Sequence, residues 1–323
     1  MPTFNDILIL LPEFYLVAVA CLLLLLDAFM KPEQRGTLHW ISIAVLLVAT
    51  YMVVAGQPDV TVTAFGGMFV RDQVSEILKV FALLSTILVF IYARPYLIER
   101  KQFIGEFYTL MIFAVIGVML LVSAGNLVMV YLGLELLTLS SYALVALNRD
   151  SPLSSEAAIK YFVLGALSSG MLLYGMSMVY GATGSLDLAQ LHTVATQSAM
   201  PNLLVFGLIF MLVGIAFKLG AAPFHMWIPD VYQGASTPVT TFIASGSKLA
   251  AFGMAWRLLD GGMGDLSHHW QLMLAVLAVL SLAIGNLVAI VQTNLKRMLA
   301  YSTISHMGYL LLGLAAAGPE GYA

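Results

Sequence analysis

Charge is what this chain lacks most. Only 10% of its 323 residues are Asp, Glu, Lys or Arg, against about 25% in an ordinary soluble domain. So few charges cannot coat a water-facing surface, so much of the surface must face lipid. The net charge of -3 offers no basic patch and gives no reason to expect nucleic acid. There is one cysteine, Cys21, which excludes an intramolecular disulfide and a cysteine-built metal or iron–sulfur site. Ala18-Val19-Ala20 before it faintly imitates a lipoprotein cleavage site. Asp6, the lack of an N-terminal positive charge and the leucines after Cys21 argue against that reading. No P-loop and no G-x-G-x-x-G following a strand is present. No histidine pair is placed for haem, and the chain is expected to bind no redox cofactor itself.

What is abundant is apolar sequence, 61% of residues. A spanning helix needs about 20 mostly apolar residues. About ten segments meet this: 7–29, 39–56, 74–93, 107–123, 126–147, 160–181, 203–221, 237–259, 270–292 and 298–316. The fold class expected is all-α, a polytopic membrane helix bundle. Lys and Arg collect in cytoplasmic loops. The first, third, fifth and ninth connections carry nine of them (Lys31, Arg35, Arg94, Arg100, Lys101, Arg149, Lys160, Lys296, Arg297). The opposite side has two, Arg71 and Arg257, which places the N-terminus outside.

Three lysines, Lys79, Lys218 and Lys248, fall within spans, as does Glu135. At a rise of about 1.5 Å per residue, Glu135 lies roughly 13 Å from Asn126 and Lys248 roughly 15 Å from Pro238, near the bilayer midplane. Lys218 lies roughly 22 Å beyond Leu203. It precedes Pro223 and Pro229, which cannot sit in an unbroken helix. Backbone freed at such depth is tolerated only inside protein or beside a wet cavity, and broken helices mark ion sites in transporters. The alternative is a helix ending at Gly220, followed by a re-entrant or interfacial turn.

A buried charge costs at least about 2.5–3.5 kcal/mol, so each requires a partner or a function. Helical spacing supplies polar company: Tyr131, Glu135, Thr138 and Tyr142; Thr241, Ser245 and Lys248; and Ser302, Thr303, His306 and Tyr309. Each stripe is expected to face the bundle interior. Desolvation favours the neutral form of an ionisable group and a nearby opposite charge the ionised form. A buried lysine with an approaching and retreating acid is thus a proton switch, and His225 and His306 could relay protons. A plain structural ion pair and hydrogen-bonding struts are the alternatives. Lys79 is expected to snorkel to the interface with Asp72 or Glu76 nearby, and Glu13 to be interfacial. Ala166 and Gly170 fit close helix packing. Asp187 and His192 receive no role, and a metal at His268-His269 has no supporting ligand cluster.

Four runs carry a resemblance: Val130–Tyr142 (VYLGLELLTLSSY), Lys160–Ala166 with Tyr180–Ser185, Phe217–His225 with Trp227, Pro229 and Asp230, and Asn294–Tyr309. Together they resemble the antiporter-like membrane subunit family of proton-pumping NADH:quinone oxidoreductase, respiratory complex I. The first two resemble its N-subunit branch, and the likeness covers essentially the whole chain. It implies an antiporter-like inverted-repeat fold of fourteen spans, each repeat with one broken helix. Residues 1–106 would form an N-terminal three-helix segment, 107–259 the first repeat and 260–323 the start of a second. It implies proton translocation by Glu135, the acidic partner, and Lys218, the proton carrier, with Lys248 and His306 continuing the axis and His225 contributing. The parent complex would supply FMN, iron–sulfur clusters, NADH and quinone. Partners would be other membrane subunits and the lipid of a bacterial inner membrane. Stopping at Ala323, the chain is expected to be truncated. A cation/proton antiporter subunit and a purely structural membrane subunit are the rival readings.

Overall fold

A computed structural model describes residues 3–31, 35–100, 102, 104–195, 198–316, 318 and 321, with the side chain of Arg35 excepted. All ten apolar segments are helical. They form α1 (Phe4–Ile9) with α2 (Leu11–Phe29), α3 (Arg35–Ala55), α4 (Gln73–Glu99), α5 (Glu106–Val122), α6 (Leu127–Val145), α7 (Pro152–Thr183), α9 (Pro201–Leu219), α11 (Thr237–Ala244) with α12 (Gly246–Trp256), α13 (Ser267–Ile290) and α14 (Leu295–Ala316). Two short helices, α8 (Leu188–Val194) and α10 (Trp227–Gly234), lie between them. Among the described residues, eight helices are long and apolar enough to cross a membrane, and α5 is a shorter apolar one. Exposed leucines such as Leu22, Leu88, Leu167 and Leu287 give these helices the outward apolar faces that lipid requires. Lys31 and Lys101 bear on orientation, but Lys101 lies outside the described residues.

The chain divides into two compact units. The first is Met1–Ser154 with Ala235–Gly253. Between α3 and α4 it carries an antiparallel hairpin, β1 (Val62–Ala64) with β2 (Phe69–Arg71), in register Val62 to Arg71. Asp6 ties the N-terminus to this hairpin by accepting the Phe65 N–H at 3.0 Å. The Thr3 N–H and then the Phe65 N–H hold its carboxylate below the usual range. Asp72 caps α4 by accepting the Ser75 N–H. Asn126 caps α6 in the same way through Met129.

Glycines let α5 and α6 touch backbone to backbone. A Cβ on Gly117 would stand 2.5 Å from the Leu137 nitrogen, and one on Gly133 2.8 Å from the Leu121 nitrogen. Gly117→Ala is therefore expected to push α6, which carries Glu135, away from α5, at a cost of about 1–3 kcal/mol. A lower midpoint of thermal unfolding of the purified subunit would register it; an unchanged midpoint would contradict the packing.

The second unit is Ser155–Gly234 with Met254–Ala323. Here Gly175 of α7 and Gly207 of α9 provide the close approach. Ala166 and Gly170 do not: both are exposed, and a Cβ on Gly170 meets nothing within 4 Å. Small residues allow close packing but do not compel it. Asp187, given no role above, caps α8 through the Ala189 and Gln190 N–H groups. After α12 the chain passes through a π-helix, Arg257–Gly262. Arg257 is buried in it, 4.8 Å above the Trp256 ring, rather than displayed in an outer loop.

Candidate functional site

In the first unit, Glu135 occupies the middle of α6 and is half-buried. The Thr138 hydroxyl, one turn on, lies 3.2 Å from the Glu135 carbonyl and 3.4 Å from its Oε2. Tyr142, two turns on, is buried and within electrostatic reach of the carboxylate. The polar stripe read from helical spacing therefore exists on α6. Glu135 Oε1 is buried with no hydrogen-bond partner among the described residues.

Lys248 belongs to the same unit and is 5% exposed. Its setting departs from expectation. The eighth apolar segment is not one helix: α11 ends at Ser245, whose φ of -113° and ψ of -82° are not helical, and α12 begins at Gly246. The Thr241 hydroxyl donates to Thr237 O and the Ser245 hydroxyl to Thr241 O, so both turn back onto the α11 backbone. Lys248 stands in the first turn after the break, and the three residues do not share one continuous helical face. The signal available was Ser245-Gly246-Ser247, two hydroxyls that compete for backbone bonds around a residue of poor helix propensity.

In the second unit the seventh apolar segment is broken where the prolines place the break. α9 stops at Leu219 and Gly220 adopts φ +80°, the left-handed conformation glycine takes without penalty. The Ala221 N–H donates to Ala216 O at 2.8 Å and the Gly220 N–H to Phe217 O at 3.0 Å. This is a Schellman ending. The Ala222 N–H then donates to the Ser281 hydroxyl of α13 at 2.8 Å. Trp227 reaches back across the gap to donate its indole N–H to Phe217 O at 2.9 Å, while its ring stacks on Tyr161, 4.6 Å between centroids. The second half-helix, α10, starts at that tryptophan. The interrupted backbone is thus satisfied by protein, as membrane depth demands.

Lys218 lies in the last turn of α9 and is 2% exposed. A cation there meets the negative end of the helix dipole. His225 lies between the half-helices, half-buried, its ring 6.4 Å from that of Tyr301. His306 differs from expectation. Along α14, Ser302 and Thr303 are half-buried, but His306 and Tyr309 are exposed.

Two charged clusters escaped the reading by spans. Asp230 of α10 receives Lys160 Nζ at 2.8 Å and Arg297 at 2.6 Å, and Arg297 also donates to Gln233 at 3.1 Å. The second half-helix is thereby clamped to α7 and α14. Opposite charges seventy residues apart leave no local signal. The other cluster joins Glu13, Arg71, Glu76 and Lys79 in the first unit. Lys79 does not snorkel: it is 1% exposed, with Glu76 beside it as expected and Glu13 at 2.9 Å. Glu13 is correspondingly buried at 3% rather than interfacial. Proximity to a helix end in sequence missed the partners on other elements, Glu13 of α2 and the Phe69 ring of β2 beside Lys79.

The model of the family described as NADH:quinone oxidoreductase/Mrp antiporter, TM, matches residues 124–323, and that described as NAD(P)H-quinone oxidoreductase subunit 2 N-terminal matches residues 2–93. NADH-quinone oxidoreductase subunit N of Xanthomonas euvesicatoria is 55% identical over 99% of this chain and 66% of its own length. That of Thioalkalivibrio sulfidiphilus is 50% identical over 98% of this chain and 67% of its own length. The chain thus spans about two thirds of the length of these relatives. Among solved structures, a chain of respiratory complex I from Thermus thermophilus aligns at a TM-score of 0.80 and 34% identity, covering 95% of this chain and 65% of that one. A chain of the Mrp complex from a Dietzia species aligns at a TM-score of 0.83 and 24% identity, over 99% of this chain and 60% of that one, a likeness of fold. The antiporter-like fold expected from the sequence is the fold observed, and the chain is a multi-pass protein of the bacterial inner membrane. It belongs to the NADH:quinone oxidoreductase/Mrp antiporter membrane family, within the subunit N branch.

Proposed function

We propose that this chain moves protons across the membrane as part of an NADH:quinone oxidoreductase, coupled to electron transfer from NADH to quinone elsewhere in the complex. The observation that carries the reading is Lys218: a lysine 2% exposed in the last turn of a helix broken at Gly220, inside the span matched by the family model. A cation is expensive in such a place and is stabilised there by a helix C-terminus. Its charge is therefore sensitive to any acid that approaches or withdraws.

Glu135 is the proposed acid, with one buried oxygen left open to a new partner. Lys248 and His306 continue the proton axis, and His225, set in the gap between the half-helices, contributes to it. Residues 107–259 act as the first antiporter-like repeat after the N-terminal segment 1–106, and 260–323 begin a second. The N-terminus faces the periplasm, by the excess of Lys and Arg in the connections of the other side. Other membrane subunits are the partners. FMN, the iron–sulfur clusters, NADH and quinone belong to the parent complex.

Glu135→Gln, in the complete subunit of the assembled complex, tests the reading. It keeps the shape and removes the titratable acid. Protons translocated per NADH oxidised in sealed vesicles are expected to fall, because a positioned proton-transfer group contributes about 10²–10⁴-fold to its step. Normal translocation with normal assembly would sink the proposal in favour of a structural role. The antiporter reading makes a different demand, exchange of a metal cation for protons in vesicles without NADH.

A further inference from the structure

Four charged side chains away from Glu135 and Lys218 are buried together: Glu13 of α2, Arg71 of β2, and Glu76 and Lys79 of α4. Arg71 grips Glu76 with two bonds, Nε to Oε1 at 3.0 Å and a terminal nitrogen to Oε2 at 2.6 Å, and donates also to Ile9 O at 3.3 Å. A two-pronged guanidinium–carboxylate pair of this kind is among the strong hydrogen-bonded contacts of proteins and occupies both carboxylate oxygens. Arg71 and Glu76 are therefore a closed pair.

Lys79 and Glu13 form the second pair, 2.9 Å from Nζ to Oε1. Lys79 also lies 3.3 Å from Glu76 Oε1 and 4.8 Å above the Phe69 ring. Glu13 is held quite differently from Glu76. Among the described residues, the Lys79 ammonium at 2.9 Å is the one donor within reach of its buried oxygens. An ionised carboxylate in that setting is costly.

The pair has another arrangement of the same net charge. An N–H bond of Lys79 breaks, the electron pair stays on nitrogen, and the proton forms an O–H bond on Glu13. Amine and acid are then both neutral. A mostly apolar cleft of about 140 Å³, whose polar lining is Gln57 and Glu76, opens beside the lysine's other partner. At roughly 30 Å³ each it has room for a few waters. A hydronium ion in that water gives one proton to the neutral amine and becomes water, which restores the ammonium and leaves Glu13 protonated.

We propose that Glu13 and Lys79 form a proton-holding site distinct from the Glu135–Lys218 axis, loaded through the Glu76 cleft and storing its proton on Glu13. The alternative is a permanent ion pair that only joins α2 to α4. Dicyclohexylcarbodiimide, which is lipid-soluble and forms an adduct with a protonated carboxyl but not with a carboxylate, separates the two. The assembled complex in membranes is treated and the adducts are located by peptide mass spectrometry. The expected result is adduct on Glu13 and none on Glu76, whose two oxygens Arg71 occupies. Lys79→Met, which removes the cation paired with Glu13, marks full protonation. The unsubstituted complex should label within about tenfold of it, a ratio of an easily populated state.

An unlabelled Glu13 in the unsubstituted complex overturns the proposal, whether or not the Lys79→Met subunit labels or assembles. Equal adduct on Glu13 and Glu76 overturns it as well, since the closed pair would then not be closed. Labelling is read without proton pumping, so its outcome is independent of the roles proposed for Glu135 and Lys218.

Discussion

Arg71→Met should cost about 3–5 kcal/mol, the penalty for removing one partner of a buried ion pair and stranding the other. Among the described residues, Glu76 would keep Lys79 as its cation, at 3.3 Å and already paired with Glu13 at 2.9 Å. The Ile9 carbonyl would lose its donor as well. The expected reading is a large drop in assembled subunit and in the midpoint of thermal unfolding of what remains. Arg71→Met with Glu76→Gln should be better tolerated than Arg71→Met alone, because the stranded charge has gone. Contacting residues commonly couple by about 0.5–3 kcal/mol. If the double variant is as unstable as the sum of the two single ones, the residues do not act as a pair. If Arg71→Met alone is harmless, the side chain is solvated in the membrane-bound protein.

That cluster also shows where reading by sequence reaches its limit. Apolar length found each of the long helices, because lipid imposes length and hydrophobicity along the chain itself. Pro223 and Pro229 announced the broken seventh helix by the same kind of local rule. The break at Ser245 had no proline, and its serine–glycine–serine signal is faint beside a long apolar run. Glu13 and Lys79 were misplaced for a geometric reason. Depth along one helix was taken as exposure, whereas burial there comes from the hairpin and from a helix more than sixty residues away. The Asp230 clamp fails to register for the same reason, its partners lying 70 and 67 residues away. Along α14 the polar stripe is half-buried at Ser302 and Thr303 and exposed at His306 and Tyr309. Of the candidate site, identities and spacing were legible. The surroundings of each side chain depend on which helices become neighbours.

Lys218 gives the sharpest test of whether a buried charge is structural or is a working proton carrier. The side chain sits in the last turn of α9, ahead of the Schellman ending at Gly220. That location favours any cation, so stability alone does not ask for lysine. Arginine would satisfy the helix end equally well, with a longer fork. What arginine cannot do is release its proton, whereas a buried lysine can. If Lys218 only braces the helix end, Lys218→Arg should preserve assembly and proton yield, and Lys218→Met should lose both. If Lys218 carries the proton, both substitutions should abolish translocation, each slowing the step by at least about 10²-fold, while Lys218→Met still assembles. Methionine has similar volume, leaves no charge to bury and keeps the apolar packing of α9, so its folding cost should be small. The decisive comparison is proton yield per NADH of the arginine variant, normalised to assembled complex: wild-type yield means a brace, and none means a carrier.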